Sequence, residues 1–180
     1  MNNLFELPTF GPGGSVHVVI EASRGAQAKC KYDPNVGAFL YSRPLPRGLM
    51  YPFDWGFIPS TCAEDGDPLD AMVIHSAACP VGTIIRCRPA GILKVDQKEA
   101  GERLRNDRLV MTPIETATGD ERLLSRALKK ELEQFFKAAV LGRGKTLSYK
   151  GWEGNKAALA TINKCAALYE TKTGGKKNTS

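Results

Sequence analysis

The chain has 180 residues, 42% of them hydrophobic, enough for one domain with a buried core and no need of disulfides or a structural metal. Its five cysteines (Cys30, Cys62, Cys79, Cys87, Cys165) are scattered, with no C-x-x-C pair, which argues against a disulfide framework and a zinc-finger site. The net charge of +6 admits an anionic partner, but no interleaved basic and aromatic run of the kind that stacks bases is present, so nucleic acid is not the expected partner.

No window reaches the roughly 18 apolar residues of a membrane span, and the N-terminal stretch lacks the basic start and apolar run of a signal peptide. A soluble, cytoplasmic protein is expected, with residues 1–175 as a single domain and 176–180 as a basic tail.

From Ser15 to about Thr112 the chain reads as short strands separated by Gly, Pro and Asp turns. Val16 to Ile20 comes first, then Ala38 to Tyr41, then Asp70 to Ile74, each run short and rich in β-branched or aromatic residues. A longer strand starts at Thr83, passes Cys87, meets Pro89 as a bend or edge position, and resumes from Gly91 to Val95. Leu109-Val110-Met111 closes the β-rich part. After Asp120 the period changes. Leu124, Leu128, Leu132, Phe135 and Ala139 recur three or four residues apart and give one apolar stripe on a helix from near Asp120 to near Gly142. Ala158, Ile162, Cys165 and Tyr169 make a second stripe, on a helix stopped by Gly174-Gly175. Strands followed by helices predict an α+β fold in which two helices cover a small closed or nearly closed barrel.

Four carboxylates fall within the seven residues Glu64 to Asp70, at a turn that leads into an apolar strand. Like charges this close repel, which calls for a compensating cation. Mg²⁺ suits the position, because it prefers hard oxygen ligands and bridges protein carboxylates to substrate phosphates. The alternative is a solvated acidic turn. Against it, Lys29, Lys31, Arg43 and Arg47 lie upstream, and the aromatic run Tyr51 to Pro59 ends just before the turn. Metal ions for some oxygens and Lys or Arg for the others are what a compact phosphate substrate requires. The segment lacks EF-hand ligand spacing and contains Pro68, so a calcium loop of that type is not expected.

The segment YPFDWGFIPSTCAEDGDPLDAMVI resembles the signature of the family I soluble inorganic pyrophosphatases, a YPxNYGFIP-like run followed by EDGDPLD. Further matches are VVIE ending at Glu21, KYD from Lys31 to Asp33, Arg43 eight residues before Tyr51, IIRCRPAGILK from Ile84 to Lys94, the Phe135-Phe136 pair and GWE from Gly151 to Glu153. The resemblance implies an OB-like closed β-barrel flanked by two C-terminal α-helices, dependence on Mg²⁺ with Mn²⁺ as a substitute, and hydrolysis of diphosphate to two phosphates. Residue by residue, it implies Asp65 and Asp70 as metal ligands and Asp67 as the group that helps deprotonate the attacking water. It implies Lys31 and Arg43 as ligands of substrate oxygens, and Glu21, Asp33, Tyr51 and Trp55 as supporting residues. It also implies a homo-oligomer, often a hexamer among bacterial members.

The chain departs from the family in the second acidic segment, approximately D-x-x-x-x-D-x-K, which here is longer and far more basic from Val95 to Val110. Anchoring on Leu109-Val110 places Asn106 at the second aspartate and Arg108 at the lysine. A shift of one residue offers Asp107 instead, on the opposite face of a strand. Asp96 is the candidate for the first aspartate, with Glu99 or Glu102 as substitutes. Ala139-Val140 stands where the family has a Tyr-Lys pair, with Lys145 or Lys150 as replacements from the next loop. Trp55 replaces Tyr, and Asp33 a longer Glu. An amide does not neutralise Mg²⁺, and each lost charge-assisted contact costs roughly 1.5–3 kcal/mol. Without local compensation, these changes predict reduced or altered activity. The alternatives are a hydrolase of another phosphoanhydride and a non-catalytic phosphate-binding scaffold.

Gly142-Arg143-Gly144-Lys145-Thr146 lacks the upstream glycine and preceding strand of a P-loop. His17 and His75, in apolar strands without a second His nearby, read as structural, and Cys62 as a packing residue.

Overall fold

The computed structural model describes residues 3–115 and 124–174. The elements in chain order are β1 (Val16–Ala22), β2 (Ala28–Asp33), β3 (Ala38–Pro44), β4 (Asp54–Ile58), β5 (Leu69–Val73), β6 (Ile84–Glu99), β7 (Glu102–Arg105), β8 (Arg108–Pro113), α1 (Arg126–Ala139), β9 (Lys145–Gly154) and α2 (Asn155–Gly174). Strand β1 pairs with β4 on one side and with β6 on the other, and β4 connects to β6 through β5 and β8, so the sheet closes on itself. Closure removes the exposed strand edges that would otherwise invite pairing with another chain. Within the ring only β5 and β8 run parallel. β2 and β3 form a separate hairpin.

Strand β6, sixteen residues long, joins the ring through its first part and carries β7 and β9 on its second. Its register with β8 slips between Pro89 and Gly91, which fits the bend expected at a residue with no N–H to give.

Successive side chains of a strand point to opposite faces, and both faces of this ring are buried. Ala71, Val73, Ile92, Leu109 and Met111 pack with Ala158, Ile162 and Cys165 of α2. Their neighbours Met72, Leu93, Val95 and Val110 pack instead with Leu132, Phe135 and Phe136 of α1. This parity decides which polar residues enter the site described below.

The α+β architecture with two covering helices is the expected one, but its order differs. Strand β9 lies between the helices and pairs with β6 from Gly91 to Glu99, so strands do not simply precede helices. Its mixture of Thr146, Leu147, Ser148 and Tyr149 gives no clean alternation, and the helical stripes on either side dominate the sequence signal. Helix α1 begins at Arg126, capped by the Ser125 side chain, which accepts from the Leu128 N–H, so it starts later than the expected position near Asp120 and leaves Leu124 ahead of it; the 176–180 tail lies outside the described residues.

Both histidines are held structurally. His17 Nδ1 lies 2.7 Å from the Pro8 carbonyl oxygen. His75 Nε2 lies 2.7 Å from Asp54 Oδ2, and the fully buried Asp54 also accepts from the Arg24 and Cys79 N–H groups. Asp54, His75 and Cys79 bring ligand-type atoms within 4.8 Å of one another, but the carboxylate is already satisfied and ties the loop after β5 to the barrel.

Candidate active site

The acidic turn between β4 and β5 is built from the backbone outward. The Ala63 N–H donates to the Asp67 carbonyl at 2.9 Å, the Gly66 N–H to the Ala63 carbonyl at 3.1 Å, and the Asp67 N–H to the Asp65 carboxylate at 3.2 Å. Gly66 sits at φ 85°, a conformation that glycine adopts freely. The Leu69 N–H donates to Thr61 Oγ1 at 2.9 Å and fixes the entry to β5. Because Leu69 and Ala71 point to the α2 side, Asp70 points to the other, next to Asp65 and Asp67.

These three carboxylates line a cavity of about 510 Å³ whose walls come from five parts of the chain. The β2–β3 hairpin contributes Lys29, Lys31 and Arg43; the aromatic run contributes Tyr51 and Trp55; β6 and its connection to β8 contribute Gln97, Glu99, Asn106 and Arg108. Phe135 and Phe136 of α1 close the apolar side, and Arg143 and Lys145 reach in from the loop after it. Lys31 Nζ lies 3.5 Å from Asp67 Oδ2, with both side chains well exposed. Arg108 is buried, donates to both Asp70 and Asn106, and lies over the Trp55 ring at 5.6 Å. Arg43 Nη1 and Trp55 Nε1 are buried donors with no acceptor among the described residues, and both side chains line this cavity. Unmatched buried donors beside a charged cavity suit an acceptor-rich ligand such as phosphate.

Of the expected residues, Asp65, Asp67, Asp70, Lys31, Arg43, Arg108, Tyr51 and Trp55 are brought together. Glu21 is buried beside Lys29, 3.2 Å away, and stands outside the cavity lining. Asp33 accepts from the Asn35 N–H in the hairpin turn of β2 and β3 and does not reach the cavity. Nor do Asp96 and Asp107. Asp96 faces Arg103, Arg105 and Lys150. Asp107 is buried with Lys94 at 3.1 Å and Arg105 at 2.7 Å and accepts from the Val95 N–H. Asp96 is on the other face of β6 and Asp107 lies in the connection just before β8, so neutral Gln97 and Asn106 occupy the wall, Asn106 where anchoring on Leu109-Val110 places it. Lys145 enters the cavity, paired with Glu99 at 2.6 Å, whereas Lys150 pairs with Asp96. Arg143, flanked by two glycines and outside any periodic run, had no signal in the sequence.

Burial raises the Asp65 carboxyl above the ordinary carboxylate range, and the Asp70 and Asp67 charges add to this against the Asp67 N–H and Arg108. A carboxylate with a raised folded-state pKa costs stability above that pKa, and the cost vanishes below the unfolded value of about 3.9. We therefore expect Asp65→Asn to stabilise the protein in chelator at pH 7, by less than about 1 kcal/mol because the group is only partly withdrawn from solvent, with the gain fading as pH falls toward 4. Thermal melts across that range check it. On the opposite wall, burial and the Arg143 guanidinium lower the Arg43 pKa, a strain that a bound anion relieves.

The donor set of Asp65, Asp67 and Asp70 fits a hard divalent cation. The facing wall of Gln97, Asn106 and Arg108 offers none of the carboxylates such an ion favours.

Residues 18–170 match the family described as inorganic pyrophosphatase. The chain is 36% identical over 182 aligned positions to the inorganic pyrophosphatase of Thermus thermophilus, covering 94% of this chain and 99% of that protein. It is 32% identical to that of Aquifex pyrophilus, covering 94% and 96%. The crystal structure of the Thermus thermophilus protein superposes with a TM-score of 0.82 at 34% identity over 94% of this chain and 99% of that one. The Helicobacter pylori inorganic pyrophosphatase gives 0.78 at 28% identity over 87% and 94%. With the same fold along nearly its whole length and the acidic turn on one cavity with phosphate-type cations, this chain belongs to the family I inorganic pyrophosphatases.

Proposed function

We propose that the chain hydrolyses inorganic diphosphate to two phosphates in the cavity lined by Asp65, Asp67 and Asp70. One observation carries the reading: three carboxylates at one corner of a cavity face Lys29, Lys31, Arg43, Arg108, Arg143 and Lys145 around it. A carboxylate corner for a cation and Lys and Arg for phosphate oxygens are the two halves of a phosphoanhydride site.

Family I pyrophosphatases are metal-dependent, and Asp65 and Asp70 would hold the ion, Mg²⁺ in this proposal with Mn²⁺ as a substitute. Bound there, the ion supplies charge neutralisation for the substrate and acidifies water. Asp67, solvated at the tip of the turn, offers an oxygen to take the proton of the attacking water. Lys31 and Arg43 bind substrate oxygens and offset charge on the leaving phosphate. Trp55 and Tyr51, stacked with ring centroids 6.3 Å apart, hold the cavity floor against Phe135 and Phe136. The same proposal includes a cytoplasmic homo-oligomer. Among the described residues no helix is long and apolar enough to cross a membrane.

Phosphate release from magnesium diphosphate by the purified protein tests this. Turnover supports the proposal; no release with either Mg²⁺ or Mn²⁺ ends it, and release from nucleotide or sugar diphosphates alone redirects it to another phosphoanhydride. Asp96→Ala serves as the geometric control. Because Asp96 is engaged with Arg103, Arg105 and Lys150 away from the cavity, its loss should change turnover by no more than about twofold. A fall of about a hundredfold would return Asp96 to the site.

A further inference from the structure

The wall opposite the acidic turn is one hydrogen-bonded strip without a free carboxylate. Asn106 Nδ2 donates to Gln97 Oε1 at 3.4 Å, Arg108 Nη1 donates to the Asn106 amide oxygen, and the same nitrogen donates to Asp70. Glu99, at the end of the strip, is neutralised by Lys145 at 2.6 Å. The strip is fixed by strand parity, since Gln97 and Glu99 continue the face of Leu93 and Val95, and Arg108 the face of Val110. Trp55 under the guanidinium holds Arg108 in place, 5.6 Å from ring centroid to Cζ.

Two divalent cations a few ångströms apart repel each other strongly, so holding both needs more negative charge from the protein than holding one. Here six cationic side chains line the cavity against the four carboxylates of Asp65, Asp67, Asp70 and Glu99, and even with Glu21 set against Lys29 from outside the lining the protein's own groups leave net positive charge at this point. Asp70 is matched by an always-charged group that no chelator removes.

We infer that the Arg108 guanidinium takes the place of one metal ion, so that the site holds a single divalent cation at the Asp65-Asp67-Asp70 turn. This rests on the diphosphatase reading but concerns a different quantity, the number of ions. Arg108 and its cationic neighbours cover the remaining charge of the substrate, and Asn106 and Gln97 are neutral because a second cation has no place beside a guanidinium.

Equilibrium dialysis of the purified chain against Mn²⁺ without diphosphate, with electron paramagnetic resonance of the bound ion, tests the inference. About one ion per chain without spin coupling is expected for the native sequence. The double variant Asn106→Asp with Arg108→Lys should take up one more, binding it roughly tenfold or more tighter than the native chain does. Two or more ions on the native chain overturn the inference, as does none, or a double variant that folds and gains no ion; if the double variant does not fold, the native count alone decides. Phosphate release on the same sample separates the two claims. A chain that turns over diphosphate with two ions keeps the function and loses this inference, and one that binds one ion without turnover does the reverse.

Discussion

Asp67→Asn should lower phosphate release from magnesium diphosphate by about 10² to 10⁴ while leaving the fold intact, the range expected when a positioned proton acceptor is removed. The substitution keeps the shape of the side chain and removes its ability to take a proton. It spares the turn, because the bonds that build it use the Asp67 backbone: its N–H donates to Asp65 and its carbonyl accepts from Ala63. Among the described residues the only side-chain partner of Asp67 is Lys31, at 3.5 Å between two exposed groups, a pair that adds little to stability. The loss should therefore fall on kcat, with KM nearly unchanged, and the urea midpoint should not move. Steady-state kinetics at saturating Mg²⁺ beside an unfolding curve checks both. If turnover stays within a few-fold of the native value, Asp67 is not the proton acceptor, and the role passes to another group at the cavity.

The barrel, its two covering helices and the acidic corner were legible in the sequence because each has a local signature. Asp65, Asp67 and Asp70 sit in one contiguous motif, and Leu132, Phe135 and Phe136 fall on one helical stripe that packs as the stripe requires. The opposite wall was legible in part: anchoring on Leu109-Val110 places Asn106 and Arg108 there, whereas Gln97 and Glu99 depend on the parity of a strand whose length the sequence conceals. Asp96 attracted attention as an acid, yet Leu93 and Val95 already mark the odd positions as the face toward α1, which gives the cavity to Gln97 and Glu99. Seeing this needs the knowledge that β6 runs unbroken to Glu99, through a hairpin in which Asp96 is opposite Arg105. Asp107, just ahead of β8 and one position from Arg108, is turned instead to Lys94. Lys145 was one of the two expected replacements, and its choice over Lys150 follows from the pairing of β9, as does the course of the short loop that brings in Arg143; that pairing leaves no local pattern.

Gly56→Ala should destabilise the protein by about 3 kcal/mol, at the upper end of the usual range for forcing atoms into packed structure. A Cβ at Gly56 would lie 1.9 Å from the Val19 carbonyl oxygen, 2.7 Å from its carbon and 3.0 Å from the Ile20 Cα. All three are backbone atoms of β1, which cannot retreat because β1 is also hydrogen-bonded to β6 on its other side. The strain would fall on the neighbours Trp55 and Phe57, and Trp55 carries Arg108 and Lys29 over its ring. Activity should therefore drop along with stability. Gly66→Ala is the informative comparison, since a Cβ there meets nothing within 4 Å and the only penalty is a positive φ, worth about 1–2 kcal/mol. Urea denaturation of the two variants side by side separates contact from conformation. A larger loss for Gly66→Ala than for Gly56→Ala would mean that close approach of β1 and β4 is not what demands glycine in the aromatic run, and that the ring can open there at little cost.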